Sequence, residues 1–163
     1  MPRILDLQLS NGAFALRLAA AIGSGILSFF FLYYVPVNLS KIINRILPVM
    51  GFADLIQQFI PPLLPPLGLI ISVLTVLGII FNKTMLHGPV VSITGLACLA
   101  YTYIAFQGGT LVFNLPQTMI PDTTARVTIT LTTIMNLFLA APACNILKGV
   151  LLTLEHKGKS VGK

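Results

Sequence analysis

Apolar residues form four long runs along the chain, and shorter polar or proline-rich stretches separate them. The runs extend over about residues 13–35, 66–81, 89–106 and 124–154. A helix rises 1.5 Å per residue, so a run of about 20 residues crosses the hydrocarbon core of a bilayer. The pattern therefore predicts four transmembrane helices, of which the second is short and the fourth is longer than the bilayer is thick.

The linker between the first two spans, residues 36–65, has a different pattern. Apolar residues occupy one face of each of two short helices, and polar residues occupy the other face. Such helices lie in the plane of the membrane interface or pack on a partner subunit. We therefore expect two amphipathic interfacial helices that bind lipid or another chain. Their apolar faces consist of Ile42, Ile43, Ile46 and Leu47 in the first helix and Phe52, Leu55, Ile56 and Phe59 in the second.

The remaining segments are an outer loop at residues 107–123 and a basic tail at residues 155–163. Seven Lys and Arg residues fall on the side of the two termini in this topology, and three fall on the other side. Because cytoplasmic segments carry an excess of Lys and Arg, both termini are predicted to be cytoplasmic. The basic residues that we expect at lipid headgroups are Arg17, Lys41, Arg45, Lys148 and Lys157.

The composition supports the same class of protein. Of the 163 residues, 56% are hydrophobic and 9% are charged, whereas soluble domains carry about 25% charged residues. The net charge of +6 does not indicate a nucleic-acid partner, because the basic residues are scattered along the flanks of the apolar runs. The sequence therefore predicts a single all-α integral membrane domain whose partners are lipids and other membrane subunits or copies of itself.

The ionisable residues are placed unfavourably for catalysis or coupled transport. All four acidic residues are predicted at span ends or in loops, whereas ion-coupled transporters use a carboxylate inside the membrane. His87 and His156 are predicted at the ends of spans rather than as a facing pair of haem ligands. Cys98 and Cys144 lie in apolar runs, where a thiol packs as a small hydrophobic group. We expect no enzyme activity, no cofactor and no metal site.

The fourth span contains a concentration of polar and small residues. At about 100° per residue, Thr130, Thr133, Ala140 and Cys144 share one face of a helix, and Asn136 lies about 80° from it. This stripe either packs against a neighbouring helix or lines a pore, and packing is the favoured interpretation. A ridge of small residues on the first span also indicates helix packing, and it consists of Ala20, Ser24 and Ser28.

These patterns predict a non-catalytic multi-pass subunit that stabilises or helps to assemble a larger membrane protein complex. Two alternatives remain open. One is a small homo-oligomeric channel or facilitator with a pore lined by Thr and Asn. The other is a lipid-binding structural protein of a filament or envelope. The three hypotheses differ in what covers the outer surface of the helices: another protein, a second copy, or lipid.

Overall fold

The chain is mostly helical in the computed structural model, and it contains three helices long and apolar enough to cross a membrane. The predicted class, a helical membrane protein, is confirmed to that extent. The structure describes residues 11–46, 60–82, 84–114 and 126–161. The three long apolar helices are Phe14–Ile43, His87–Ala105 and Thr132–His156.

The regular elements follow the predicted order of apolar runs, with a small sheet inserted before the last helix. The helices predicted at residues 66–81 and 89–106 each begin two residues before the predicted start and end one residue before the predicted end. In chain order the elements are α1 (Asn11–Phe29), a π-helical turn (Phe30–Tyr34), α2 (Val35–Ile46), α3 (Leu64–Ile80), α4 (His87–Ala105), a 3-10 turn (Gln107–Gly109), β1 (Thr110–Asn114), β2 (Arg126–Thr130) and α5 (Thr132–Val161).

The first helical run differs from the prediction because it continues through Pro36. The sequence analysis ends the first span at residue 35 and begins a separate interfacial helix at residue 36, whereas α1, the π-helical turn and α2 form one continuous run. Proline usually interrupts a helix, since it has no N–H to donate to the carbonyl four residues earlier. Here the π-helical turn precedes the proline, with the Val35 N–H donating to the Phe30 carbonyl.

A side chain from α4 supplies a hydrogen bond at this interruption. In a regular α-helix the carbonyl of Leu32 would accept from residue 36, which as a proline has no N–H. The Tyr101 hydroxyl donates to this Leu32 carbonyl at 3.3 Å. The bond therefore joins α4 to the bend between α1 and α2.

The same carbonyl is also the closest point of contact between α3 and the bend. A Cβ atom added at Gly68 would lie 2.5 Å from the Leu32 carbonyl carbon, a separation that real Cβ atoms do not adopt. Gly68 is buried, and the Ser72 hydroxyl one turn later donates to its carbonyl at 2.8 Å. Glycine at this position therefore allows α3 to approach the backbone at Leu32.

Helices α1, α3, α4 and α5 form an open row, in which each helix packs on the next one in that order. The main helix contacts within the described residues join α1 to α3, α3 to α4 and α4 to α5. Few apolar side chains are consequently buried in the part of the chain that the structure describes: Ala21, Leu64, Ile71 and Met135. The outward faces of α1 and α5, at the two ends of the row, have no covering element among the described residues.

Glycines bring α4 and α5 into close backbone contact. A Cβ added at Gly149 of α5 would lie 2.6 Å from the Ser92 nitrogen, and one added at Gly95 of α4 would lie 3.0 Å from the Pro142 carbonyl oxygen. The Ser92 hydroxyl donates to the Ile146 carbonyl across the same contact at 3.5 Å. Such approach of backbones is the usual way in which helices associate in membranes.

The last helix begins later than predicted, because the residues before it form a strand. The prediction begins the helix at about residue 124, whereas α5 begins at Thr132 and Thr130 lies in β2. Strand β2 pairs antiparallel with β1, with Thr110 opposite Thr130 and Asn114 opposite Arg126. The run from Val127 to Thr130 consists of β-branched residues, which favour strands.

The chain enters this hairpin through a tight turn after α4. Gln107, Gly108 and Gly109 have φ angles of 48°, 71° and 89°, in the left-handed region that glycine adopts at little cost. The Gly109 carbonyl then accepts from the Leu131 N–H at 2.7 Å. Part of the predicted outer loop is therefore an ordered two-stranded sheet at the start of α5, and residues 115–125 lie outside the described part of the chain.

Replacing Gly68 by alanine is predicted to destabilise the fold. The added methyl group would meet the Leu32 carbonyl, and overpacking of this kind costs about 1–3 kcal/mol. Gly23 is the matched control, because open space surrounds its Cβ position on α1. Gly23→Ala is expected to stabilise the helix by up to about 1 kcal/mol. Thermal unfolding in mild detergent measures both, and an unchanged midpoint for Gly68→Ala would contradict the contact.

Removing the Tyr101 hydroxyl is predicted to weaken the same junction. Tyr101→Phe deletes the bond to the Leu32 carbonyl, and hydrogen bonds between membrane helices contribute about 0.6–1.7 kcal/mol. Tyr103→Phe is the control, because Tyr103 is exposed on the same helix. Equal unfolding midpoints for the two variants would show that the bond contributes nothing to stability.

Candidate functional site

The face of α5 that points away from α4 carries a regular pattern of exposed residues. Met135, Pro142 and Gly149, seven residues apart, are buried on the face toward α4. Most of the remaining residues of α5 are exposed, and seven of them on the opposite face follow one another at alternating steps of four and three. We refer to these residues as the outer seam: Thr133, Leu137, Ala140, Cys144, Leu147, Leu151 and Leu154.

The spacing of the outer seam is that of a coiled-coil interface. Alternating steps of four and three average 3.5 residues, which keeps one stripe of a helix facing a partner helix along its length. Leu137 is 74% exposed and Leu151 is 66% exposed. The small residues of the seam are Thr133, Ala140 and Cys144, which all lie in its first half and would let a second helix approach closely.

A polar side chain flanks the seam. Asn136 lies within the candidate span Thr132–His156, and its side chain is exposed. Its amide forms no hydrogen bond with any residue that the structure describes. An amide transferred to an apolar environment without a hydrogen bond loses free energy, so this position favours a partner helix that supplies a donor or acceptor.

The predicted stripe on the fourth span is thus only partly assembled on one helix. Thr133, Ala140 and Cys144 lie together in the outer seam, and Asn136 lies at its edge. Thr130 is exposed on β2 and does not continue the helical face. The roles of these residues in packing or in lining a pore stay predictions.

The predicted ridge of small residues on α1 lies at the edge of its contact with α3. Ala20 is exposed, while Ser24 and Ser28 are half-buried. The closest contacts are made by the neighbouring face: Ala21 is fully buried, and a Cβ at Gly25 would overlap the Val76 side chain. Ala21 and Gly25 also have four-residue spacing, so the sequence contains the same pattern of small residues one position after the predicted ridge.

The predicted interfacial segment is described only in its first half. In α2, Ile42 and Ile43 are half-buried and Ile46 is exposed. On its polar side, Lys41 and Arg45 are exposed. The other predicted apolar positions lie outside the described residues: Leu47, Phe52, Leu55, Ile56 and Phe59. Whether this segment lies in the interface stays a prediction.

The basic residues predicted at headgroups have different surroundings. The Arg17 guanidinium donates to the Asn82 carbonyl, just beyond the C-terminus of α3, at 3.4 Å. A cation at a helix C-terminus is favourable because of the partial negative charge there. Lys148 is exposed on α5 within its apolar segment. The side chain of Lys157 lies outside the described part of the structure.

The two histidines bind backbone carbonyls. Because a carbonyl can only accept, Nδ1 of His87 donates to the Gly78 carbonyl at 3.1 Å, and Nδ1 of His156 donates to the Leu152 carbonyl at 3.3 Å. Gly78 lies in the last turn of α3, so His87 contributes to ending that helix. Among the described residues, no group of three or more His, Cys, Asp or Glu side chains is placed to hold a metal ion.

Comparison with known proteins gives no relative from which a function could be carried over. No protein-family model, no curated protein and no solved structure matches this chain. The functional argument therefore rests on the helix row and its exposed surfaces.

Proposed function

We propose that the chain is a non-catalytic, multi-pass subunit of a larger membrane protein complex. In this proposal the outer seam of α5 binds a transmembrane helix of a different subunit and thereby stabilises the assembly. The observation that carries the proposal is the outer seam itself: seven exposed residues from Thr133 to Leu154 that have the spacing of a heptad repeat.

Contact with lipid alone does not require this pattern. A helix surface that faces acyl chains needs only apolar side chains, whereas the seam keeps a regular four-and-three spacing and has small residues in its first half and leucines in its second. This arrangement suits a second helix crossing at about 20°, with side chains of one helix packed between those of the other. Asn136 at the edge of the seam would gain a hydrogen-bond partner in such a contact.

The open row of helices supports the proposal in a second way. A closed bundle buries the stripes of all its helices within one chain. In this chain α1 and α5 are at opposite ends of a row. A partner helix on the outer seam would extend the row and bury the leucines that are most exposed on α5.

The proposal includes a four-span topology. Helix α3 has 17 residues and a length of about 26 Å, close to the roughly 30 Å of the hydrocarbon core. If α3 crosses the bilayer with the three longer helices, both termini lie on one side. The excess of basic residues favours the cytoplasm for that side. Residues 36–65 would then bind the opposite membrane surface or the partner.

A channel fits the outer seam less well. A pore lined by Thr133 and Asn136 would also be lined by Leu137, since it lies one turn after Thr133 on the same exposed face of α5. The seam continues with Leu147 and Leu151, so most of its length would present apolar side chains to a water-filled axis. We therefore place the channel and the lipid-binding structural protein second, as alternative outcomes of the test.

Cys144 in the middle of the outer seam provides a direct test. In a Cys98→Ala background, a photoactivatable maleimide attached to Cys144 in native membranes is expected to cross-link to one protein of different mass. That protein is expected to purify with the chain in fixed proportion. The matched control moves the thiol about 100° around the helix by Cys144→Ala with Asn145→Cys, and the adduct is expected to disappear.

Two other results would contradict the proposal. An adduct of twice the mass of the chain would place a second copy on the seam, as the homo-oligomeric channel requires. Adducts with lipid alone at both positions would leave the seam facing acyl chains, as expected for a structural protein with a lipid-covered surface.

A further inference from the structure

A polar crevice lies beside α4, on the other side of α5 from Asn136. It has a volume of about 270 Å³, and it is lined by residues of α3, α4 and α5. Because α3 and α5 pack mainly on α4 rather than on each other, the crevice is open along the side away from α4. Its polar lining consists of Thr75, Asn82, His87, Thr94, Asn145 and Lys148.

The crevice contains a cation within the membrane-spanning part of α5. Lys148 lies eight residues, or about 12 Å, from the His156 end of the apolar segment Thr132–His156. It forms no ion pair with any described residue. Glu155 is the one acidic residue in the described part of the chain, and it does not line the crevice. A cation at this depth requires a counter-charge or a route to the headgroups.

The polar groups of the crevice differ in whether they can still donate a hydrogen bond to a ligand. The hydroxyls of Thr75 and Thr94 each donate at 2.8 Å to a carbonyl of their own helix, so these two donors are already used. The Nδ1–H of His87 donates to the Gly78 carbonyl, so Nε2 of the neutral ring is an acceptor and adds no donor to the crevice. Lys148 and the amide of Asn145 remain as donors, and such a group of donors favours an anion.

We propose that this crevice binds an anionic glycerophospholipid. The phosphate lies against Lys148 and the Asn145 amide at the end of the row near Asn82, and the acyl chains follow the apolar wall formed by Leu74, Ile79 and Val91. Inorganic phosphate shares the headgroup chemistry, but it has no part that would occupy this wall. The sideways opening favours a ligand that enters from the bilayer rather than from water.

The site adjoins the outer seam at Lys148, which lies about 40° from Cys144 around α5, and it extends away from the seam to Asn145. Asn145 is nine residues from Asn136, which places the two side chains about 180° apart around α5. The lining of the crevice comes from this chain alone, so lipid binding is measured without the partner helix. A failure of the lipid test and a failure of the cross-linking test are distinguishable.

Lipid retention by the full chain tests the site. The detergent-purified protein is titrated with phosphatidylglycerol or with phosphatidylcholine of the same acyl chains, and bound lipid is counted by native mass spectrometry. We expect tighter retention of phosphatidylglycerol. Lys148→Gln is expected to weaken this binding about five-fold, as for loss of one lysine contact to an anionic lipid. Lys148→Arg is expected to preserve it.

Two controls complete the experiment. Arg126→Gln removes an exposed cation on β2, outside the crevice, and is expected to leave the preference for phosphatidylglycerol unchanged. Inorganic phosphate is expected to leave the unfolding midpoint unchanged at concentrations at which phosphatidylglycerol raises it. Equal retention of both lipids, an unaffected Lys148→Gln variant, or stabilisation by inorganic phosphate alone would each overturn the assignment to a lipid.

Discussion

The arrangement of this chain depends on one backbone carbonyl, that of Leu32. Pro36 has no N–H to offer it, the Tyr101 hydroxyl donates to it, and Gly68 lies against it without a side chain. Three helical elements therefore meet at one polar atom. A proline that would otherwise interrupt the first helix lies within one continuous helical run, where the Tyr101 hydroxyl donates to the carbonyl that lacks a donor from the proline. The position of α2 relative to the row of helices follows from this junction.

At the other end of the row, α4 and α5 associate through glycines rather than through large apolar side chains. Gly95 and Gly149 permit backbone contact, so the association depends on close approach and dispersion. This mode of packing buries few side chains and leaves the outer seam exposed. The surfaces that a soluble protein would bury within its core are thus available for a partner helix on one flank of α5 and a lipid on the other.

The sequence predicts the helices α3 and α4 well, because each consists of one long apolar run between turn residues. It fails at Pro36 and at β2, where contacts distant in sequence decide the structure: Tyr101 compensates for the proline, and β1 pairs with residues predicted as helix. The α4–α5 contact was missed, although Gly88, Ser92 and Gly95 have suitable spacing. The stripe on α5 is visible in the sequence, but its exposure depends on which face binds α4.

The central claim is that the open row is completed by a different protein. The most direct measurement is native mass spectrometry of the particle that contains this chain after gentle detergent extraction from native membranes. The account predicts a particle composed of several different chains, with this chain in fixed stoichiometry. A particle whose mass is a whole multiple of 17.5 kDa, after bound lipid is subtracted, would contradict it.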